Sequence, residues 1–487
     1  KHRGTYSTQI GTKQGNRNSE RLLHELELWS VLRGVRPTGI DILWQRVLTQ
    51  QFHDIIPGSS IAWVHDDAEA EHAAIADEIE VHLAKIIPVR GTEVHVMNPA
   101  PVAIHGVVDV DAQPMWVHAA AFASAAPTSE LPTDHTPVTV STTDGIITLS
   151  NGLISVSINP DGAITSLRNS QRDLFATGDS AQFTLRQDTP AEYDAWDIDM
   201  IDANAPAISL VADSVPVVVE SSPLRATVEC LFATDASRLV VRYSLCAASD
   251  QLDVSLEADW HEQERRLQWS LPTDLRALDA TCGTQFGHVR RARHSNTTWD
   301  IARFEVCAHR YVAVSEPAFG AAILADGPRG YDIRGNSLRL TVLRSPRFPD
   351  PEADLGAQRL TWAVMLTPGD AITNGIEETA ARIAYPHRIV DGTPGLPDAN
   401  LVMNVPGALV SAMKPADDDS GDIIIRLWET RGARTSGTIT ITQTDDQLHM
   451  FRCDALENAE TNSLPSTGNE FSITLRPFEI TTLRVTQ

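Results

Sequence analysis

The sequence predicts an α+β protein in which a three-helix bundle is followed by mostly antiparallel β-sandwich domains. Three observations carry this reading. Apolar residues recur at three- and four-residue spacing through positions 1–90, the period of helices that bury one face. After Pro88 the long stripes stop: Val, Ile and Thr alternate with polar residues, and Pro and Gly recur at turn spacing. A length of 487 residues gives room for about three domains of roughly 150 residues each.

The first helix is expected from Asn18 or Ser19, good N-cap residues, through Leu22, Leu26, Trp29 and Leu32 to a C-cap at Gly34. A second is expected from about Asp41 to His53, where Pro57-Gly58 cannot continue it. A third is expected from about Asp66 to Lys85, with Ala68, His72, Ile75, Ile79, Leu83 and Ile86 on one face. Joined by short turns, these make a bundle over 1–90. A small β segment and linker, 91–145, holds two strands across Asn98-Pro99-Ala100-Pro101 and an Ala/Ser/Thr/Pro-rich stretch over 119–137. A large β-sandwich, 146–392, opens with a hairpin around Asn159-Pro160-Asp161-Gly162 and continues in alternating segments at Val217–Phe232, Arg238–Cys246 and Leu252–Trp260. The run 391–397, rich in Gly and Pro, reads as a boundary before a smaller C-terminal β-sandwich, 393–487.

Charge and cysteine usage limit the function. A net charge of −25 repels phosphate backbones and anionic lipid and suits a neutral substrate, so nucleic acid is not an expected partner. Five cysteines without a CxxC pair point to reduced thiols and a cytoplasmic setting. No stretch approaches the ~18 uninterrupted apolar residues of a membrane span, and no charged-then-apolar leader opens the sequence. It begins Lys1-His2-Arg3 without an initiator Met, as though entered midway.

The candidate chemistry centres on Gln51-Phe52-His53-Asp54-Ile55-Ile56-Pro57-Gly58-Ser59-Ser60. An imidazole and a carboxylate presented together at a helix exit suit a metal ion and a sugar hydroxyl, although such a pair also serves as an ordinary capping feature. His65, Glu69 and His72, at i, i+4 and i+7, offer a rival metal face or simply an acidic first turn. The carboxylates of 188–199 around Trp196 could hold a hard cation or a sugar, or be solvated.

The run from Leu43-Trp44 through Gln51-Phe52-His53-Asp54-Ile55-Ile56-Pro57-Gly58-Ser59-Ser60 closely resembles the helical region of the retaining α-mannosidases of glycoside hydrolase family 38. The resemblance extends to His2-Arg3-Gly4-Thr5-Tyr6, to the polar runs 188–199, 285–300 and 330–354, and to the C-terminal end, in family order. It implies that His53 is a zinc ligand and that Asp54 binds mannose hydroxyls. It places Arg344 beside the pocket, with a salt bridge to the 350–354 loop as an equal reading.

The family's N-terminal α/β domain, with its Asp nucleophile, acid/base carboxyl and three further zinc ligands, has no counterpart here. Retention needs two carboxyls about 5–5.5 Å apart, and tight zinc binding about four ligands. The resemblance therefore implies the C-terminal portion of a zinc-dependent enzyme acting on terminal α-mannosyl residues, inert by itself and associating as a homo-oligomer. The alternative is a non-catalytic carbohydrate-binding or scaffold protein.

Overall fold

The computed structural model describes residues 2–399, 401–442 and 447–486. Residues 1 and 487, which bound the first and last expected domains, lie outside the described residues. Three helices come first, α1 (Ile10–Arg33), α2 (Ile40–Gln50) and α3 (Ala62–Ile86), and antiparallel sheets follow. The whole expected stripe of α3, from Ala68 to Ile86, is buried. Gly34 closes α1 in the left-handed region at φ 72°, its N–H reaching the carbonyls of Ser30 and Val31.

The start of α1 differs from expectation, and the cause is tertiary. The Asp354 carboxylate accepts the backbone N–H groups of Gln9 (2.8 Å) and Ile10 (2.6 Å), which caps the helix well before Asn18. Asn18 and Ser19 therefore lie inside the helix. Ser19 Oγ pairs with His72 Nδ1 at 2.9 Å on α3. At the other end of the connection, α2 stops at Gln50 rather than His53, and successive turns carry the chain through 51–58.

The large sandwich is built on a nine-stranded sheet whose longest ladders join Arg225–Ala233, Arg238–Cys246, Gln251–Trp260 and Gly356–Thr367. A six-stranded sheet containing Gln182–Gln187, Arg265–Pro272 and Ser337–Arg344 and a four-stranded sheet over 139–169 share its core, which includes Trp260, Trp269 and Trp362. Strict alternation along Arg238–Cys246 places every second residue in that core. The expected segment Val217–Phe232 is two strands, broken at a turn where Ser222 N–H reaches the Arg225 carbonyl at 2.8 Å.

Two runs whose polarity reads as loop contain short structured elements. Gly287–Ala292 is a hairpin strand, and Thr297 caps a one-turn helix over Thr298–Ile301. Gly330–Asp332 is a fully buried strand, made possible because Asp332 pairs with Arg334 (2.8 Å) and Arg339 (3.4 Å). The strand Arg388–Pro394 returns to pair with Val89–Met97, so the Gly- and Pro-rich run 391–397 begins inside a ladder.

The C-terminal sandwich packs a five-stranded against a four-stranded sheet. Its core is continuous with that of the bundle: Leu22, Trp29 and Leu43 share one buried cluster with Val410, Leu427 and Phe471. The helices are thus gripped by the C-terminal sandwich on one side and by the 344–354 segment of the large sandwich on the other.

Candidate functional site

The turn carrying His53 and Asp54 is fixed at its base and open at its tip. Gln51 Nε2 donates to Asn16 Oδ1 and Glu20 Oε1, both at 3.0 Å, tying the end of α2 to α1. Ser59 and Ser60 hydroxyls donate to the Asp54 carbonyl at 3.4 and 2.8 Å and close the turn on itself. Gly58 sits at φ 83°, and a Cβ there would lie 2.7 Å from the Thr8 carbonyl oxygen. Only glycine permits both that conformation and that approach. The Lys13 ammonium bridges the two segments, donating to the carbonyls of Thr8 and Pro57.

Above this base the two candidate side chains are free. His53 is 78% and Asp54 50% exposed, with His53 Nε2 3.5 Å from Asp54 Oδ2 and the imidazole beside the Phe52 ring. In the same stretch of chain Phe52 (54%), Ile61 (46%) and Trp63 (68%) are exposed. The pair therefore stands on an open, partly apolar surface. A cavity of about 590 Å³ lies elsewhere, between α1, α2 and the C-terminal sandwich, and neither His53 nor Asp54 lines it.

Arg344 is placed differently from the pair. It is fully buried, and its Nε donates to Asp188 Oδ2 at 2.5 Å with Asp188 equally buried. Nη1 donates to Thr8 Oγ1 (3.1 Å) and the Ala195 carbonyl (3.2 Å), and Nη2 to the Asp197 carbonyl (2.6 Å). A Cβ on Gly4 would meet this guanidinium, so the opening segment lies directly against it. The ion pair is with Asp188 and not with the 350–354 loop, whose carboxylates serve Gln9: Asp350 Oδ2 accepts from Gln9 Nε2 at 2.6 Å.

The acidic run 188–199 is likewise occupied with its own loop. Asp199 accepts the Ala191 N–H at 2.9 Å, while Asp202 accepts that of Thr189 at 2.7 Å. Arg3 donates from Nε to the Phe304 carbonyl at 2.8 Å and lies over the Phe304 ring at 4.1 Å, which ties the opening segment to the large sandwich.

The rival face on α3 is turned toward α1. His65 Nδ1 is 3.1 Å from Thr12 Oγ1 and His72 Nδ1 2.9 Å from Ser19 Oγ, while Glu69 packs over Gly11. Burial, helped by nearby Lys13, pulls His65 down to about 4, and burial also lowers His72, so both are neutral helix-packing groups. Among the described residues no three His, Cys, Asp or Glu side chains form a group able to hold a metal ion.

Lys13 and Asp354 are the site residues that sequence reading missed. Burial pushes the Lys13 ammonium down and the Asp354 carboxyl up, and each opposes the other's shift by its charge. No local pattern marks them, since the partners are far apart in sequence.

A helical bundle seated on two β-sandwich units is also the fold of the corresponding part of a solved structure. The crystal structure of an alpha-mannosidase from Enterococcus faecalis V583 superposes with a TM-score of 0.74 at 14% identity, covering 99% of this chain and 68% of that one. Family models match three segments: the alpha mannosidase middle domain over 1–88, the glycosyl hydrolases family 38 C-terminal domain over 149–352, and the family's C-terminal beta sandwich domain over 408–483. The chain belongs to glycosyl hydrolase family 38, of which it comprises the middle and C-terminal domains.

Alpha-mannosidase 2C1 of Mus musculus is 31% identical over 99% of this chain, and that of Homo sapiens 30%. The alpha-mannosidase of Saccharomyces cerevisiae is 26% identical over the same share. The chain spans about half the length of these curated relatives, 48–49%.

Proposed function

We propose that this chain forms the sugar-orienting part of a zinc-dependent retaining α-mannosidase that releases terminal α-mannosyl residues. The observation that carries the proposal is the His53–Asp54 turn, anchored at its base yet with both side chains exposed and uncommitted to the fold. His53 fits one position of a zinc site, since among the described residues its imidazole has no structural partner beyond the neighbouring Asp54 and Phe52. The remaining zinc ligands, the nucleophile and the acid/base are assigned to the part of the relatives that this chain does not span.

When bound, zinc would supply Lewis-acid attachment for vicinal sugar hydroxyls. Asp54, as an acceptor-only carboxylate, would accept hydrogen bonds from those hydroxyls and fix the ring's orientation. The exposed apolar rim of Phe52, Ile61 and Trp63 would exclude water once covered. Arg344 would act indirectly, by holding the opening segment and the 188–199 loop together beneath the pocket.

Two features support a cytoplasmic setting: all five cysteines are unpaired, and no helix among the described residues is long and apolar enough to cross a membrane. Homo-oligomer formation is part of the same proposal.

In the complete enzyme, His53→Ala should lower zinc content and rate together, whereas Asp54→Asn should lower rate with zinc retained. Normal activity in both variants would refute the assignment. The chain by itself should neither hold stoichiometric zinc nor turn over a mannoside. Sugar binding without either, undiminished by Asp54→Asn, would favour a non-catalytic carbohydrate-binding role.

A further inference from the structure

A cavity of about 300 Å³ between the opening segment and the edge of the large sandwich is lined by Arg3, Arg290, Arg291 and Arg303. Four guanidinium groups in one small cavity are out of character for a chain of net charge −25. Arg266 and Arg344 show how the fold pairs some of its buried arginines, with Glu305 at 3.1 Å and with Asp188. The four arginines of this cavity have no such close carboxylate.

Arg290 comes no nearer than 3.7 Å to Asp370, and Arg303 no nearer than 3.9 Å to Asp300, a carboxylate already engaged by Thr297. Arg3 uses its donors on the carbonyls of Phe304 and Ala302. Arg291 has a 3.4 Å contact to the Cys307 carbonyl, and its buried Nε has no hydrogen-bond partner among the described residues. The sole carboxylate in the lining, Glu305, is bound by Arg266 and Thr341. The cavity therefore carries several positive charges and a desolvated donor, with no anion of its own to satisfy them.

We infer that this cavity binds the phosphoryl or sulfuryl group of a small organic molecule. Guanidinium forks match tetrahedral oxyanions with paired hydrogen bonds, and such a group would satisfy the orphaned Arg291 Nε. The chain's overall negative charge does not prevent this, because at physiological ionic strength it is screened over roughly 8 Å while the four arginines line the cavity itself. The volume lies at the lower end of the ~300–1,000 Å³ range of small-molecule sites and exceeds what a bare ion fills. Tyr6, Phe304 and Val306 furnish walls for an organic remainder. No residue of the His53–Asp54 turn lines this cavity, and the inference does not rest on the mannosidase assignment.

The test is calorimetric titration and thermal unfolding of the full chain at constant ionic strength, with inorganic phosphate, glycerol phosphate and chloride as probes. Both phosphates should bind saturably and raise the unfolding midpoint, and chloride should not. Arg291→Gln should weaken binding at least tenfold. Arg303→Gln should weaken it about threefold, and because that side chain is 66% exposed, its substitution leaves the fold in place. Phosphate acting no better than chloride, or both variants binding as the parent does, would overturn the site. Binding of inorganic phosphate with glycerol phosphate excluded would overturn the organic ligand.

Discussion

Arg344→Ala is the substitution that separates a structural from a sugar-binding role for this arginine. The change removes a guanidinium with four hydrogen bonds in the fully buried interior and leaves Asp188 there without its counter-charge. The second Asp188 oxygen has no other hydrogen-bond partner among the described residues, so nothing nearby can take over. Breaking a buried ion pair from one side costs about 3–5 kcal/mol. For a cooperative unit the size of the large sandwich, with a midpoint shift of roughly 2 °C per kcal/mol, that is a fall of ~6–10 °C.

Scanning calorimetry of the full chain reads this directly. Arg344→Lys retains the charge but offers a point donor to acceptors set out for a planar fork, so about half of the loss should remain. The double variant Arg344→Met/Asp188→Asn removes both charges and should recover more than half of the loss. A fall below about 2 °C for Arg344→Ala would refute the structural reading. If the complete enzyme then lost activity at unchanged midpoint, a direct role at the sugar would take its place.

Two predictions concern pH and run in opposite directions. Burial raises Glu27 to about 7, with Trp44 Nε1 donating to it at 2.9 Å. The folded state therefore holds this proton longer than the unfolded chain, and stability falls as pH rises from about 4.5 to 7. Glu27→Gln should stabilise the chain relative to the parent at pH 8, by on the order of 2–3 kcal/mol more than at pH 5, in denaturant titrations. Burial lowers His24 to about 4, so there the unfolded chain takes the proton first and stability falls as pH drops from 6.5 toward 4. The loss between pH 7 and pH 5 should be smaller by about 2 kcal/mol in His24→Gln, whose amide can still reach the Pro99 carbonyl that His24 Nε2 contacts at 2.9 Å. Gly58→Ala forces a Cβ against the Thr8 carbonyl at positive φ and should cost about 1–3 kcal/mol. Hydrogen exchange over 52–60 should accelerate at least tenfold, and unchanged protection would show that the turn does not depend on this approach.

The parts of the fold that were legible in the sequence are those whose causes are local. The α3 stripe from Ala68 to Ile86 and the Gly34 C-cap follow from spacing and from backbone freedom, and both stand as expected. The alternation along Arg238–Cys246 follows from the two-residue period of a strand. The hairpin at Asn159–Gly162 is set by turn chemistry, with Gly162 at positive φ and Asn159 Oδ1 accepting the Ala163 N–H at 2.9 Å.

What escaped were features whose cause lies outside the local segment, from tens to hundreds of residues away. The start of α1 is fixed by Asp354, the base of the His53 turn by Lys13 and Gly58 against Thr8, and the opening segment by Arg344 and Asp188. Each looks, in its own neighbourhood, like an ordinary polar residue in a loop. The Gly330–Asp332 strand escaped for a different reason: its partners Arg334 and Arg339 are near in sequence, but the run reads as polar until Asp332 is seen to be paired inside.

These long-range ties also bear on how the site works. The side chains of His53 and Asp54 are exposed, and beyond the Phe52 ring beside the imidazole little packing among the described residues sets their position. Their geometry is inherited from the turn beneath, and the turn's from α1, whose first amides are held by a carboxylate of the large sandwich. A retaining glycosidase depends on positioning its groups to within a fraction of an ångström, so a metal ligand on a free-standing helical hairpin would be a poor one. The bundle and the large sandwich therefore act as one support. Lys13, Asp350 and Asp354, through their bonds to Thr8, Pro57, Gln9 and Ile10, fix where the turn bearing Asp54 stands.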